Sequence, residues 1–354
     1  MNIVWLGYWD PGGIAAMYCH CINRYTEHSA RLIKFEETRM FDRDIVYRTA
    51  KWENGQIIGF DNIPDNQFKE MVIPILEDAD VLIFNAAMSP RVGDPDYVVA
   101  DTDHLNFGGI RLEEYSKFIP SIVFYFGATG LRKNYDWYND VYNAKGWPAI
   151  TCQPDIYRNL KIKTDINYVP ILVVSDHVRY NSVMKVNENP IICHSPTDRR
   201  IKNTDDFIEI IEDLSQNYKF RVGMIENMTF PQSLQVKYNS NIALDHMQND
   251  GYYCLTSVEN SAMGLVNFVN LDDYGISLVE QDIGAPLEWE IVKNKYELHS
   301  KLEMYLKDWD LIERKQLRTK EWFKKYWHEK NHINKLTDII EMYLNKNYGI
   351  RMGR

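Results

Sequence analysis

The chain has 354 residues, 45% hydrophobic and 25% charged, a globular composition with length enough for two ordinary domains. A formal net charge of −10 counts against bulk attraction to nucleic acid or an anionic membrane. No run of about eighteen apolar residues exists to span a bilayer as a helix.

The five cysteines form no CxxC pair, and Cys19-His20-Cys21 falls in a predicted helix where positions two apart diverge, so no metal site is expected there. The opening MNIVWLGYW reads as a strand and not as a signal peptide, so a reducing cytoplasm is the expected location.

Residues 3–8 are a continuous apolar run that leads into Asp10-Pro11-Gly12-Gly13 and then an apolar-periodic helix from about 14 to 26. This strand, glycine turn and helix is the opening of a doubly wound α/β domain. Gly12 and Gly13 either let backbone N–H groups approach a ligand phosphate or simply serve a tight turn. A second strand is predicted at 31–35, a hairpin around Asn54-Gly55, and a helix over 68–76 kinked or ended by Pro74. Strands follow at 81–87 and 121–126, with a long Pro/Gly/Asp-rich loop at 89–109 that contains His104. Arg132 is read either as a surface arginine or as a ligand contact. Short strands at 149–152 and 166–171 complete the first half.

The second half opens with a strand ending at His194, then the basic loop Arg199-Arg200-Ile201-Lys202, then a helix with Phe207, Ile208, Ile210, Ile211 and Leu214 at helical spacing. Thr204 and Asp205 are the expected N-cap residues. A strand end, cationic side chains and a helix N-terminus together suit an anion; a solvated basic turn is the plain alternative. Strands are predicted at 220–225 and 241–245, a short helix at 231–238, and a helix from Glu259 to Gly264. Helical patterns cover 296–306 and 314–348. The second carries Trp322, Phe323, Tyr326 and Trp327, an aromatic stripe read as packing on the first domain.

The stretches His194-Ser195-Pro196 to Thr204 and Gly251 to Gly264 resemble two motifs of family 4-like retaining glycosyltransferases of the GT-B type. Their patterns are HAPS-x-R-x-x-K-G-T and G-x-Y-G-x-x-x-x-E-A-M-A-x-G. The resemblance implies two Rossmann-like doubly wound domains facing a cleft, with a carboxy-terminal helix crossing back. The expected bounds are 1–175 for the acceptor domain, 176–325 for the donor domain and 326–354 for the returning helix.

The resemblance also implies roles. Arg199 and Lys202 would hold the donor diphosphate and stabilise it as it leaves, and Glu259 would take the ribose hydroxyls. Asn227 and Met228 would line the base pocket, Cys254, Leu255 and Thr256 would face the donor, and Gly12 and Gly13 would meet its phosphates across the cleft. Departures from the pattern are Tyr125 and Phe126 where a histidine is usual, Asn203 for glycine, Gly251 for the first glutamate, Asn260-Ser261 for Ala-Met, and Asn267 within the usual Lys-Pro-Val stretch.

Walker, HExxH and triad patterns are absent. The expectation is a glycosyltransferase that moves a sugar from a nucleotide-diphosphate donor, a UDP-sugar foremost, to a hydroxyl on a glycan, a small molecule or a DNA base. The acidic balance disfavours DNA. No metal and no resident cofactor are expected, and the alternatives are a GT-B-fold sugar epimerase, whose catalytic carboxylates and histidines find no assignment here, and a non-catalytic sugar-nucleotide-binding or scaffolding relative. Strings such as Asp94-Pro95-Asp96 and Asp101-Thr102-Asp103 mimic metal motifs without the expected role.

Overall fold

The computed structural model describes all residues except 8–12, 38–44, 54–55, 87–105, 108, 127–131, 133–135, 137–139, 141–142, 175–188, 248–250 and 352–354. Gly12, His104, the two Asp-rich strings and the Asn54-Gly55 turn therefore lie outside the described residues. The chain divides into two compact units, one made of Met1–Val169 with His332–Arg354 and one of Pro170–Asn331.

The first unit is built on β1 (Asn2–Gly7), whose residues from Ile3 on are all buried. A strand covered on both faces needs an unbroken apolar run, and IVWL supplies it. It continues with α1 (Ile14–Tyr25), β2 (Ser29–Glu37), β3 (Ile45–Glu53), β4 (Gln56–Asn62), α2 (Asp65–Glu77) and β5 (Val81–Ala86). A small hairpin, β6 (Asn106–Phe107) with β7 (Ile110–Arg111), and a short α3 (Leu112–Tyr115) precede β8 (Ser121–Tyr125), β9 (Ala149–Thr151), α4 (Pro154–Leu160) and β10 (Ile166–Tyr168).

The sheet order is β10-β9-β8-β5-β1-β2-β3-β4, parallel throughout except for β4, which pairs antiparallel with β3. Trp5, fully buried, stacks on Tyr18 of α1 and meets the edge of Phe124 on β8. Each such side chain contributes roughly 1.5–3 kcal/mol by leaving water. Pro74 lies inside α2, which runs on to Glu77 rather than ending there.

The second unit contains β11 (Ile191–His194), α5 (Thr204–Ser215), β12 (Arg221–Met224), α6 (Phe230–Tyr238), β13 (Ile242–Leu244), α7 (Leu255–Ala262), β14 (Val266–Val269), α8 (Asp273–Ile283), β15 (Glu290–Ile291), α9 (Lys295–Lys307) and α10 (Trp309–Trp322). Its sheet order is β12-β11-β13-β14-β15, all parallel. The connections pass to one side of β11 and then to the other, so the topological switch point lies between β11 and β13. Phe207, Ile210 and Leu214 of α5 pack with Ile192, Leu244 and Phe268 of the sheet in one core.

Two local readings need correction. The N-cap of α5 is Asn203, not Thr204 or Asp205, and it sits in the left-handed region at φ 52°. Among non-glycine residues asparagine tolerates this region best, which accounts for its presence where the related pattern has glycine.

The carboxy-terminal pattern is also not one helix. A π turn over Phe323–Trp327 follows α10, His328 leaves the helical region at ψ 132°, and α11 (Glu329–Arg351) begins after it. In an α-helix residues five apart diverge by roughly 0.4 of a turn. The wider π winding instead lets both Trp322 and Trp327 face the buried side. There they surround Trp289, at 6.3 and 5.3 Å, within the second unit. The chain joins the first unit from His332 on, where the Tyr343 hydroxyl donates to Ala149 O at 3.1 Å.

Candidate functional site

Parallel strands place their carboxyl ends on one edge, and in doubly wound sheets ligands bind beyond that edge at the switch point. In the second unit that point is bounded by the loop after β11 and the segment between β13 and α7. His194 ends β11, directly across from Leu244 on β13 and Met224 on β12. Its buried ring has Nδ1 at 3.2 Å from Leu244 O and Nε2 at 2.9 Å from Thr204 Oγ1. A carbonyl only accepts, so Nδ1 carries the proton and Nε2 accepts from the threonine hydroxyl. Burial pushes the ring's pKa down to about 4, so it stays neutral and ties the strand end to the first turn of α5.

The loop after His194 closes on itself. Lys202 N donates to Asp198 O at 3.0 Å, Thr204 N donates to Arg199 O at 3.0 Å, and Arg200 N donates to the Asp198 carboxylate at 2.9 Å. This folding sends the two basic side chains to different places. Arg199 is exposed and forks onto both carboxylate oxygens of Glu226, each contact 2.7 Å. Lys202 is buried: its Nζ donates to Asp245 Oδ1 and lies 2.9 Å from Cys254 Sγ.

Asp245 is the hub of this arrangement. Its other oxygen accepts from the Cys254 backbone N–H at 3.2 Å and from the Ser257 hydroxyl. Burial opposes ionisation of this carboxyl, but the Lys202 ammonium beside it holds it well below the usual carboxylate range. Burial equally opposes the lysine's charge, and Asp245 and Cys254 outweigh it and raise the ammonium's pKa. One carboxylate thus fixes the end of β13, the basic loop and the N-terminus of α7.

One turn further along α7, a second buried pair forms. Lys237 from α6 donates to Glu259 Oε2 and, at 3.0 Å, to Thr256 Oγ1. Glu259 Oε1 has no partner among the described residues. The amino end of α7 therefore carries its own dipole charge, two lysines and two carboxylates, while Cys254, Leu255 and Thr256 are only partly buried.

Asn227 and Met228 are exposed beyond β12, Asn227 in the left-handed region at φ 54°. Gly13 caps α1 at φ 72°, so a conformational need for glycine is real there. It belongs to the first unit, as does Arg132, which is bound bidentately by buried Asp155 at 2.7 and 3.2 Å with Gln153 at 3.1 Å. Tyr125, near where the related pattern has a histidine, is a buried core residue.

Of the residues singled out in the sequence, Lys202, Cys254, Thr256 and Glu259 thus converge on the amino end of α7. Sequence reasoning missed Asp245 and Lys237. A signal existed for the first, an aspartate closing the buried run Ile242–Leu244; for Lys237 there was none.

No protein-family model matches the chain, and no curated protein matches it in sequence. Solved structures do match in fold. Sucrose-phosphate synthase from Thermosynechococcus elongatus is 11% identical with a TM-score of 0.59, over 98% of this chain and 100% of that one. Anabaena HepE in complex with UDP and glucose is 10% identical with a TM-score of 0.61, over 96% and 99%. MnaA of S. aureus with UDP is 9% identical with a TM-score of 0.54, over 98% and 97%. The fold is that of GT-B glycosyltransferases. At these identities the likeness establishes architecture alone.

Proposed function

We propose that the protein is a glycosyltransferase that takes a sugar from a nucleotide-diphosphate donor, a UDP-sugar, and delivers it to a hydroxyl acceptor with retention and without a metal. The observation that carries this reading is the position of Lys202: a buried ammonium at the β11/β13 switch point, beside the amino end of α7. Negative charge that develops on a departing diphosphate is stabilised by fixed donors and cations already in place, with no reorganisation at the moment of reaction. Lys202 and the first N–H groups of α7 are such a set, and the side chain need only rotate from Asp245 toward the phosphate. Arg199 joins by exchanging Glu226 for a phosphate oxygen, and Glu259 faces the ribose end. UDP in the complexes of HepE and MnaA supports the choice of nucleotide. The acceptor is a glycan, a small molecule or a hydroxylated DNA base, the last disfavoured by the net charge of −10.

One observation favours a second reading, a sugar-nucleotide-binding relative without turnover. Arg199 and Glu259 are both already neutralised, by Glu226 and Lys237. Calorimetry with UDP, GDP and ADP, with and without EDTA, tests both. UDP binding that survives EDTA and weakens in Lys202→Met supports a donor site, and hydrolysis of a UDP-sugar then selects the transferase over the binder. Absence of binding to all three nucleotides would sink both.

A further inference from the structure

Beside Lys202, the cluster Asp245, His246 and Cys254 brings three chemically different ligating atoms within 4.8 Å of one another. Asp245 and His246 are fully buried, and Cys254 is partly exposed, which leaves one side for entry. His246 is the unexplained member. Its ring stacks on Tyr252 at 4.8 Å, yet neither nitrogen has a hydrogen-bond partner among the described residues. Nδ1 stands 3.4 Å from Asp245 Oδ2 without hydrogen-bond alignment. A buried imidazole whose Nε2 has no partner among the described residues, and whose Nδ1 has only this 3.4 Å contact, costs free energy that a ligand would recover.

We propose that these three side chains form a site for a transition-metal dication of the zinc type, which the Lys202 ammonium occupies in the resting chain. One thiolate, one imidazole and one carboxylate with a fourth position open is a zinc-like donor set; magnesium and calcium, which take oxygen ligands, do not fit it. Tetrahedral donors around zinc stand roughly 3.3–3.8 Å apart, so the cluster contracts by about an ångström on binding. Lys202 Nζ, bonded to Asp245 and 2.9 Å from Cys254 Sγ, stands in for the cation. The incoming dication displaces Lys202 from both and releases the Cys254 thiol proton to solvent, with the lysine keeping its charge. The ion is thus a competitor of the lysine and not a cofactor of transfer. Its consequence for donor binding, and only that, rests on the function proposed above.

The test is titration of the full chain with Co2+, followed by tetrahedral d–d absorption and the sulfur-to-cobalt charge-transfer band. The other four cysteines are buried, which leaves Cys254 as the accessible thiolate. One ion per chain is expected, bound about tenfold or more tightly in Lys202→Met, where the competing charge is gone. Cys254→Ser should lose the charge-transfer band. The proposal is overturned if neither wild type nor Lys202→Met develops the band, or if Cys254→Ser binds as tightly as wild type. Should Lys202→Met fail to fold, the comparison of wild type with Cys254→Ser decides alone. Zn2+ at saturation should weaken UDP binding. Unchanged UDP affinity with the cobalt band present leaves the cation site standing and removes the donor role of Lys202.

Discussion

Asn260 on α7 donates through Nδ2 to Asn267 Oδ1 on β14 at 3.1 Å, and both side chains are buried. These are two of the positions where the chain departs from the GT-B pattern it resembles, so the departures are partners. Asn267 Nδ2 also donates to Ser257 O at 2.9 Å, and Ser261, one step along the helix, accepts from Trp289 Nε1 at 2.7 Å. A polar network joins helix and strand here. Its members hold the amino-terminal turn of α7 in register with the sheet.

Asn267→Val alone is expected to cost about 1–3 kcal/mol, since it strands Asn260 Nδ2 in the interior, while Ser257 O keeps the Ser261 hydroxyl at 2.8 Å. The double variant Asn260→Ala/Asn267→Val should cost less than the sum of the singles, with a coupling of about 1 kcal/mol. Urea unfolding of the four proteins, read by tryptophan fluorescence, measures it. Strict additivity would mean the two asparagines act independently.

Gly264, at φ +74° after α7, is held by two separate constraints. A Cβ there would lie 3.1 Å from Lys320 Cβ and 3.2 Å from the Gln316 carbonyl oxygen, a backbone atom that cannot swing aside. Gly284 shares the left-handed conformation at φ +71° but has nothing within 4 Å of its Cβ position. Gly284→Ala should therefore cost only the backbone term of about 1–2 kcal/mol, and Gly264→Ala measurably more. Equal shifts in melting temperature would show that α10 gives way and that the close approach constrains nothing.

These two sites also show what could be read from the chain. The strands announced themselves because parallel strands buried on both faces must be continuous apolar runs, as in Ile3–Leu6 and Ile242–Leu244. Lys202 and Glu259 were visible because the spacing of basic loop, helix and turn resembles the motifs of family 4-like glycosyltransferases. Lys237 was invisible: in Phe230–Tyr238 it looks like any solvent-facing lysine, and only the opposing face of α7 buries it. The break at Phe323–Trp327 was equally hidden, because two tryptophans five apart betray a π turn only once both are known to be buried.

His194 predicts a pH dependence of stability. Its folded pKa is about 4, against 6.5 for a free imidazole, because burial disfavours its charged form. Below pH 6.5 the unfolded chain takes up a proton that the folded chain refuses, so stability falls as pH drops, and this loss levels off below about pH 4. The full window is worth roughly 3 kcal/mol. His194→Gln, which retains a donor and an acceptor, should flatten this part of the profile between pH 6.5 and 4. An unchanged slope would assign the acid sensitivity to other groups.

The Lys237–Glu259 pair sits one helical turn from the amino end of α7, and its two members are nearly excluded from water. Removing one partner leaves a buried charge with no compensation, so Lys237→Met should destabilise by about 3–5 kcal/mol. Lys237→Met/Glu259→Leu removes both charges together and should recover most of that loss. The recovered variant separates structure from ligand recognition. If Glu259 serves only Lys237, the double variant binds UDP like wild type; if its unpartnered Oε1 accepts a ribose hydroxyl, the double variant is stable yet loses about tenfold in UDP affinity. It should then also lose the preference for UDP over its 2′-deoxy analogue, which calorimetry with the two nucleotides reads directly.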